Sequence, residues 1–265
     1  MPSRTRHSPL IQRPSSTACM HTCRERRSSM ASTRIEVSGL GYAVGGVEIL
    51  KSVDAAMPGG QITAVVGPSG AGKSTLLRSI NRLIEPSSGE IYLDGEPTSA
   101  LDPLGLRRRV GMVFQIPALF GDSVEEAVLY GARLSGKDAD PGRLLEIVGL
   151  DASLAGRDPQ ALSVGQQQRL TMARALALEP EALLLDEPTS ALDEAARRRI
   201  EELVRDLNAR LGLTMVFVSH DLAQVRRVAD QVVVLVDGRN VGAWAKDDFY
   251  SGAGERARQF IAGRL

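Results

Sequence analysis

Apolar positions change rhythm repeatedly along this chain, and each change predicts an element. Ile35-Glu36-Val37 and Val47-Glu48-Ile49-Leu50 alternate apolar and polar residues as half-buried antiparallel strands do, and Gly45-Gly46 between them supplies a turn. Gln61 to Val66 is a short apolar run that stops at a glycine. From Lys73 to Ile84 the spacing becomes helical, with Leu76, Leu77, Ile80, Leu83 and Ile84 recurring on one face. A further strand pair is predicted at Glu90 to Leu93 and Val110 to Phe114. Between Pro117 and Pro159 the pattern is mostly helical and is punctuated by Gly136, Asp140-Pro141-Gly142 and Gly149, which marks an inserted helical segment. A helix from Val164 to Leu178, a buried strand from Ala182 to Asp186 and a helix from Glu194 to Leu211 follow, the last with Ile200, Leu203, Val204, Leu207 and Leu211 on one stripe. Thr214 to Ser219 and Val232 to Val236 are the last apolar strands, joined by a helix from Asp221 to Ala229. Continuous Val/Leu strands alternating with helices predict an α/β protein whose parallel sheet is covered on both faces.

The first 33 residues follow none of these rhythms. They are rich in Arg, Ser and Pro and poor in residues able to build a core, so a disordered tail is expected, with the folded part running from 34 to 265. An Arg- and Ser-rich transit peptide, or a start at Met30, are the alternatives. Cys19, His21 and Cys23 lie in this stretch without the second ligand pair that a zinc site needs.

Composition removes some functions. In 265 residues, 32 Lys and Arg balance 32 Asp and Glu, so no global field holds nucleic acid or an anionic membrane surface, and a nucleic-acid partner is not expected. Apolar runs such as Val232 to Val236 fall far short of the ~20 residues that cross a bilayer as a helix, so any span would come from another chain. Both cysteines precede the folded part, which predicts no disulfide framework and a reducing cytosol.

Local chemistry is far more specific. Gly67-Pro68-Ser69-Gly70-Ala71-Gly72-Lys73-Ser74 fits G-x-x-x-x-G-K-[ST] between a predicted strand and a predicted helix, the context that distinguishes a phosphate loop from an ordinary glycine-rich turn. Its backbone amides and helix N-terminus would face phosphates, Lys73 would balance the β and γ charges, and Ser74 would ligate Mg²⁺. Asp186 and Glu187 end an apolar strand, where open α/β sheets bind ligands. Asp186 can hold Mg²⁺ through water and Glu187 can polarise an attacking water, although an acidic pair in that position is often only a helix cap.

With Leu162-Ser163-Val164-Gly165-Gln166 lying between these motifs, the chain from about Arg34 onward resembles the ATP-binding subunits of ATP-binding-cassette (ABC) transporters. The resemblance implies a phosphate-loop NTPase fold with a parallel core sheet, an N-terminal antiparallel β subdomain and a helical subdomain inserted at about 116 to 178. It further implies ATP and Mg²⁺, with Gly67 to Thr75 around the phosphates and Ser74, Gln115 and Asp186 at the metal. Tyr42 matches the aromatic that stacks on adenine and Gln115 the glutamine linking metal site to helical subdomain. Glu187 matches the general base, and His220 the histidine that contacts the γ-phosphate. Ser190 to Asp193 matches the loop touching a partner protomer, and Ser163 to Gln166 the signature. Alone, Tyr42 would read as amphipathic packing and His220 as a structural histidine.

The implied assembly is a head-to-tail dimer that clamps ATP between the Gly67 to Ser74 loop of one copy and Ser163, Gly165 and Gln166 of the other, attached to integral-membrane permease subunits on the cytoplasmic face. Physics supports such a clamp, because a helix beginning at the signature offers a positive dipole end and free amides, while Ser163 can also simply cap its own helix. Val164 departs from the family pattern, which has glycine there. Phe114, Leu119, Phe120 and Tyr130 read either as subdomain core or as a groove for a permease helix. The run Gln166 to Leu170 and the ending Phe260 to Arg264 resemble phosphate-importer subunits, although the 117 to 159 insert is shorter than theirs. An exporter of metal or nucleotide-sugar type is the alternative cargo class, and a soluble cassette ATPase or a phosphate-loop kinase the alternative machine.

Overall fold

A computed structural model describes residues 35–252 and 254–264; the predicted tail, with Cys19, His21, Cys23 and Met30, lies outside them. Two strands open the chain, β1 (Ile35–Val44) and β2 (Val47–Met57), paired antiparallel from Ile35 with Met57 to Val44 with Val47. Gly45 and Gly46 turn the hairpin with φ of +58° and +81°, the left-handed pair that a two-residue hairpin loop needs. With β4 (Ser88–Leu93) and β5 (Glu96–Pro97) they form a four-stranded antiparallel sheet in the order β2-β1-β4-β5.

The second sheet has six strands in the order β10-β9-β3-β8-β7-β6. Here β3 (Ile62–Val66), β6 (Val110–Val113), β7 (Ala182–Asp186), β8 (Thr214–Val218) and β9 (Gln231–Val236) run parallel, and β10 (Arg239–Ala245) closes one edge antiparallel. All five residues of β3, β7 and β8 are buried, as strands covered on both faces must be. The predicted pairing of 90 to 93 with 110 to 114 is corrected. The first joins the antiparallel sheet beside β1 and the second joins the parallel sheet beside β7. Strand β10 escapes the apolar pattern because it is a half-exposed edge, bulged between Asn240 and Gly242.

Alternation along the central strands feeds two cores. Leu184, Val216 and Val218 meet the inner face of the antiparallel sheet, with Leu76, Leu77 and Ile80 of α1 (Lys73–Ile80) between the layers. Leu183, Leu185, Met215 and Phe217 point the other way, toward α5 (Val164–Leu176) and α6 (Glu194–Leu211). The same core takes in α3 (Val124–Leu134) and α4 (Pro141–Ile147) of the insert, whereas the short α2 (Pro103–Arg109) lies on the opposite side. The stripe predicted on α6 is the buried one, with Ile200, Val204 and Leu207 about 1 % exposed or less. Helix α1 stops four residues short of the predicted Ile84. Arg82 adopts φ +53°, and the amides of Arg82 and Leu83 bond back to the Ser79 and Arg78 carbonyls, the arrangement that ends helices in a left-handed residue. The turn holds without glycine because the Arg82 guanidinium donates to the carbonyls of Thr98 and Leu101 at 3.1 and 2.9 Å. After β8 come α7 (Leu222–Val228), then α8 (Lys246–Ser251) and α9 (Glu255–Ile261), which pack Phe249 and Ala257 onto β9.

Candidate active site

Because β3, β6, β7 and β8 are parallel neighbours, their C-terminal ends share one edge, and the predicted chemistry collects there. The loop 67 to 72 leaves β3 and enters α1 through Gly72, at φ +94°, with no side-chain cap on the first turn and no acidic residue in it. A Cβ at Gly72 would lie 2.7 Å from Leu50 Cδ2 and 3.2 Å from the Ile49 carbonyl, so β2 presses the loop from outside. Leu50 is the register partner of half-buried Tyr42, which places the two residues side by side on the β1–β2 hairpin.

Lys73 is 6 % exposed and folds back, its Nζ donating to the carbonyls of Gly67 at 2.9 Å and Pro68 at 2.8 Å. Burial holds its ammonium below the usual lysine range, with Glu187 and then Asp186 pulling it back up. Ser74 Oγ donates to Asp186 Oδ1 at 2.8 Å, from the first turn of α1 across to the end of β7. Asp186 is 1 % exposed, and burial raises its carboxyl above the ordinary range, against the Ser74 hydrogen bond and Arg78 at 3.9 Å. A buried, under-neutralised carboxylate bonded to a hydroxyl is an all-oxygen donor set that suits a small hard divalent cation, so Ser74 and Asp186 fit Mg²⁺.

Glu187 lies one residue past β7, at φ +43°, and its Oε2 is 3.2 Å from His220 Nδ1 at the end of β8. His220 stays exposed at the rim, while Glu187 is mostly shielded. Gln115, two residues past β6, is exposed at the same edge, and the preceding Phe114 carbonyl accepts from buried Gln168 at 3.1 Å. A carboxylate, an imidazole, a buried lysine and a metal-type pair around a phosphate loop can bind a nucleoside triphosphate and direct water at its terminal phosphate.

Ser163, Gly165 and Gln166 make their contacts elsewhere. Ser163 caps α5, accepting from the Gln166 amide at 3.3 Å, while its own amide donates to Gln166 Oε1 at 2.9 Å. A Cβ on Gly165 would sit 3.2 Å from the Ala196 Cβ, so this glycine also lets α5 approach α6. Val164 is exposed. Sequence reasoning passed over Arg197, Gln224 and Glu201, polar residues behind Glu187 and His220 whose helical positions read as ordinary α6 and α7 surface.

Fold and site together define a phosphate-loop nucleoside triphosphatase. The family model described as ABC transporter matches residues 50–190. The methionine import ATP-binding protein MetN of Caulobacter vibrioides is 45 % identical over 230 residues, covering 83 % of this chain and 69 % of that protein. The phosphate import ATP-binding protein PstB 2 of Natronomonas pharaonis is 38 % identical over 276 residues, covering 97 % of this chain and 95 % of its own. A solved structure of cbiO1 from Clostridium perfringens, part of the ABC transporter complex cbiONQ, superposes with a TM-score of 0.75 at 31 % identity, over 87 % of this chain and 95 % of that one. The chain belongs to the ABC transporter family, as an ATP-binding subunit that hydrolyses ATP. No helix among the described residues is long and apolar enough to cross a membrane.

Proposed function

We propose that this protein is the energy-coupling ATPase of a phosphate importer, working as a head-to-tail dimer on the cytoplasmic face of a permease. The carrying observation is the Glu187–His220 contact beside the Ser74–Asp186 pair on one sheet edge. Incoming triphosphate gives Lys73 oxygens in place of the Gly67 and Pro68 carbonyls, which ends the cost of a buried ammonium bonded only to its own loop. Tyr42 stacks on the adenine. Ser74, Asp186 and Gln115 hold Mg²⁺, which when bound neutralises phosphate charge. Glu187 accepts the proton of the attacking water, and His220 orients that carboxylate and meets the γ-phosphate. Ser163 and Gly165 of a second copy, at the positive end of α5, close over the same phosphate, so closure depends on ATP and is lost with its hydrolysis.

For the cargo, the PstB 2 relative supports phosphate by its near-complete two-way coverage, together with the ending Phe260 to Arg264. The MetN relative, at higher identity, supports methionine import as the second reading. The test is to isolate the membrane protein that co-purifies with the full chain, reconstitute the two in vesicles, and measure ATP-driven uptake of phosphate and of methionine. Phosphate uptake abolished by Glu187→Gln supports the proposal. Methionine uptake alone overturns the cargo, and a Glu187→Gln chain that stays monomeric in saturating Mg-ATP with its membrane partner overturns the dimer.

A further inference from the structure

Glu187 keeps its left-handed backbone, φ +43°, although it carries a side chain. Such a conformation persists only where neighbours over-determine it. Within its own loop the Glu187 carbonyl accepts from the Ser190 amide at 3.2 Å, and between this loop and the one after β8 lies a cleft of about 60 Å³ lined by Glu187, Thr189, Ser219 and His220. Hydrogen bonds join the two loops behind it. Two residues beyond Glu187, the buried Thr189 hydroxyl accepts from Gln224 Nε2 at 2.8 Å. The Oε1 of the same amide accepts from Ser219 Oγ at 2.7 Å, and Ser219 immediately precedes His220. One side chain therefore ties the loop after β7 to the loop after β8.

That amide has a single workable orientation. Gln224 is 1 % exposed, and its Nε2 also donates to Glu201 Oε1 at 3.1 Å. Glu201, buried as well, is held from the far side by Arg227 at 2.5 and 2.7 Å. A flipped amide would set its oxygen against the Glu201 carboxylate. Nearer solvent a second bridge spans the same two loops. Arg197 donates to the Leu192 carbonyl at 3.5 Å and pairs with Asp221 at 3.5 Å.

We propose that Gln224 is a positioning residue for ATP hydrolysis, locking the Glu187 loop to the His220 loop so that carboxylate and imidazole keep their 3.2 Å spacing, with Arg197 as the outer clasp. It rests on the roles given above to Glu187 and His220. The test takes Gln224→Leu and Arg197→Gln in the full chain, each alone and combined with His220→Ala, and measures kcat, KM for Mg-ATP, nucleotide affinity and melting temperature. Gln224→Leu should lower kcat by about 10- to 10²-fold, as loss of alignment does, while KM and affinity stay within about twofold. Arg197→Gln, at a partly exposed site that tolerates change, should lower kcat by a smaller factor in the same pattern and carries the test if Gln224→Leu does not fold. In the His220→Ala background both effects should vanish, because the pair being aligned is already broken. Equal losses in both backgrounds, or losses in affinity as large as in kcat, overturn the proposal. Slow turnover by His220→Ala with full-rate Gln224→Leu and Arg197→Gln overturns the positioning role alone, whereas full turnover by His220→Ala overturns the site assignment beneath it.

Discussion

Replacing Asp186 with Asn should stabilise the nucleotide-free protein while abolishing Mg-dependent hydrolysis. Asp186 is a carboxylate at 1 % exposure, and against its burial stand one hydroxyl at 2.8 Å, one half-exposed guanidinium at 3.9 Å and, more weakly, the ammonium of Lys73. Asn retains the acceptor for Ser74 and removes the uncompensated charge, a relief of about 1–3 kcal/mol by analogy with under-satisfied buried polar groups. Some of this is returned, because Asp186 also supports the ammonium of buried Lys73, which then leans on Glu187 and its two carbonyls. A net gain of about 1 kcal/mol raises the melting temperature by about 2–4 °C in a domain of this size. The sign against pH follows from the raised folded pKa of Asp186. Below the ordinary carboxylate pKa of about 4 both states are protonated and the wild type carries no penalty; as pH rises through the raised value the penalty appears in full. The advantage of Asp186→Asn should therefore be largest above the raised value and shrink as pH falls toward the ordinary carboxylate range. Differential scanning calorimetry without nucleotide, run across pH beside a phosphate-release assay with Mg-ATP, tests both halves. A variant that melts at or below the wild type at every pH would refute the burial argument, and one that hydrolyses Mg-ATP normally would refute the metal assignment.

Glu187→Gln should cut turnover by about 10²- to 10⁴-fold and spare equilibrium ATP binding, and normal turnover would remove the base assignment. Lys73→Ala should weaken nucleotide binding itself, read by titration with a fluorescent ATP analogue; unchanged affinity would contradict the contact given to Lys73. Gly72→Ala places a Cβ 2.7 Å from Leu50 Cδ2 at φ +94°, so it should lower stability by about 1–2 kcal/mol along with ATP affinity, and an unchanged melting curve would show the loop to be less constrained than its geometry. Ser163→Ala removes the cap of α5, a loss of about 1 kcal/mol in chemical denaturation. If ATP-driven dimerisation survives that change undiminished, the clamp role of Ser163 falls while its cap role stands.

What the chain alone determined was local. The glycine pair at 45 and 46, the phosphate loop between strand and helix, the buried run ending in Asp186-Glu187 and the stripe on α6 are each written in contiguous residues, because turn chemistry, period and capping act over a few positions. Relations between distant segments had no such signature. Only tertiary structure decided that 88 to 93 pairs with β1 while 110 to 113 pairs with β7, since both read as similar short apolar strands. It also decided that a non-glycine, Arg82, ends α1, because the carbonyls that steady its guanidinium lie 16 to 19 residues further on. In the same way Gln224 looked like one polar residue on an amphipathic helix. Its significance exists only where α6, α7 and the ends of β7 and β8 converge, and there a buried amide must find a partner for every donor and acceptor it carries.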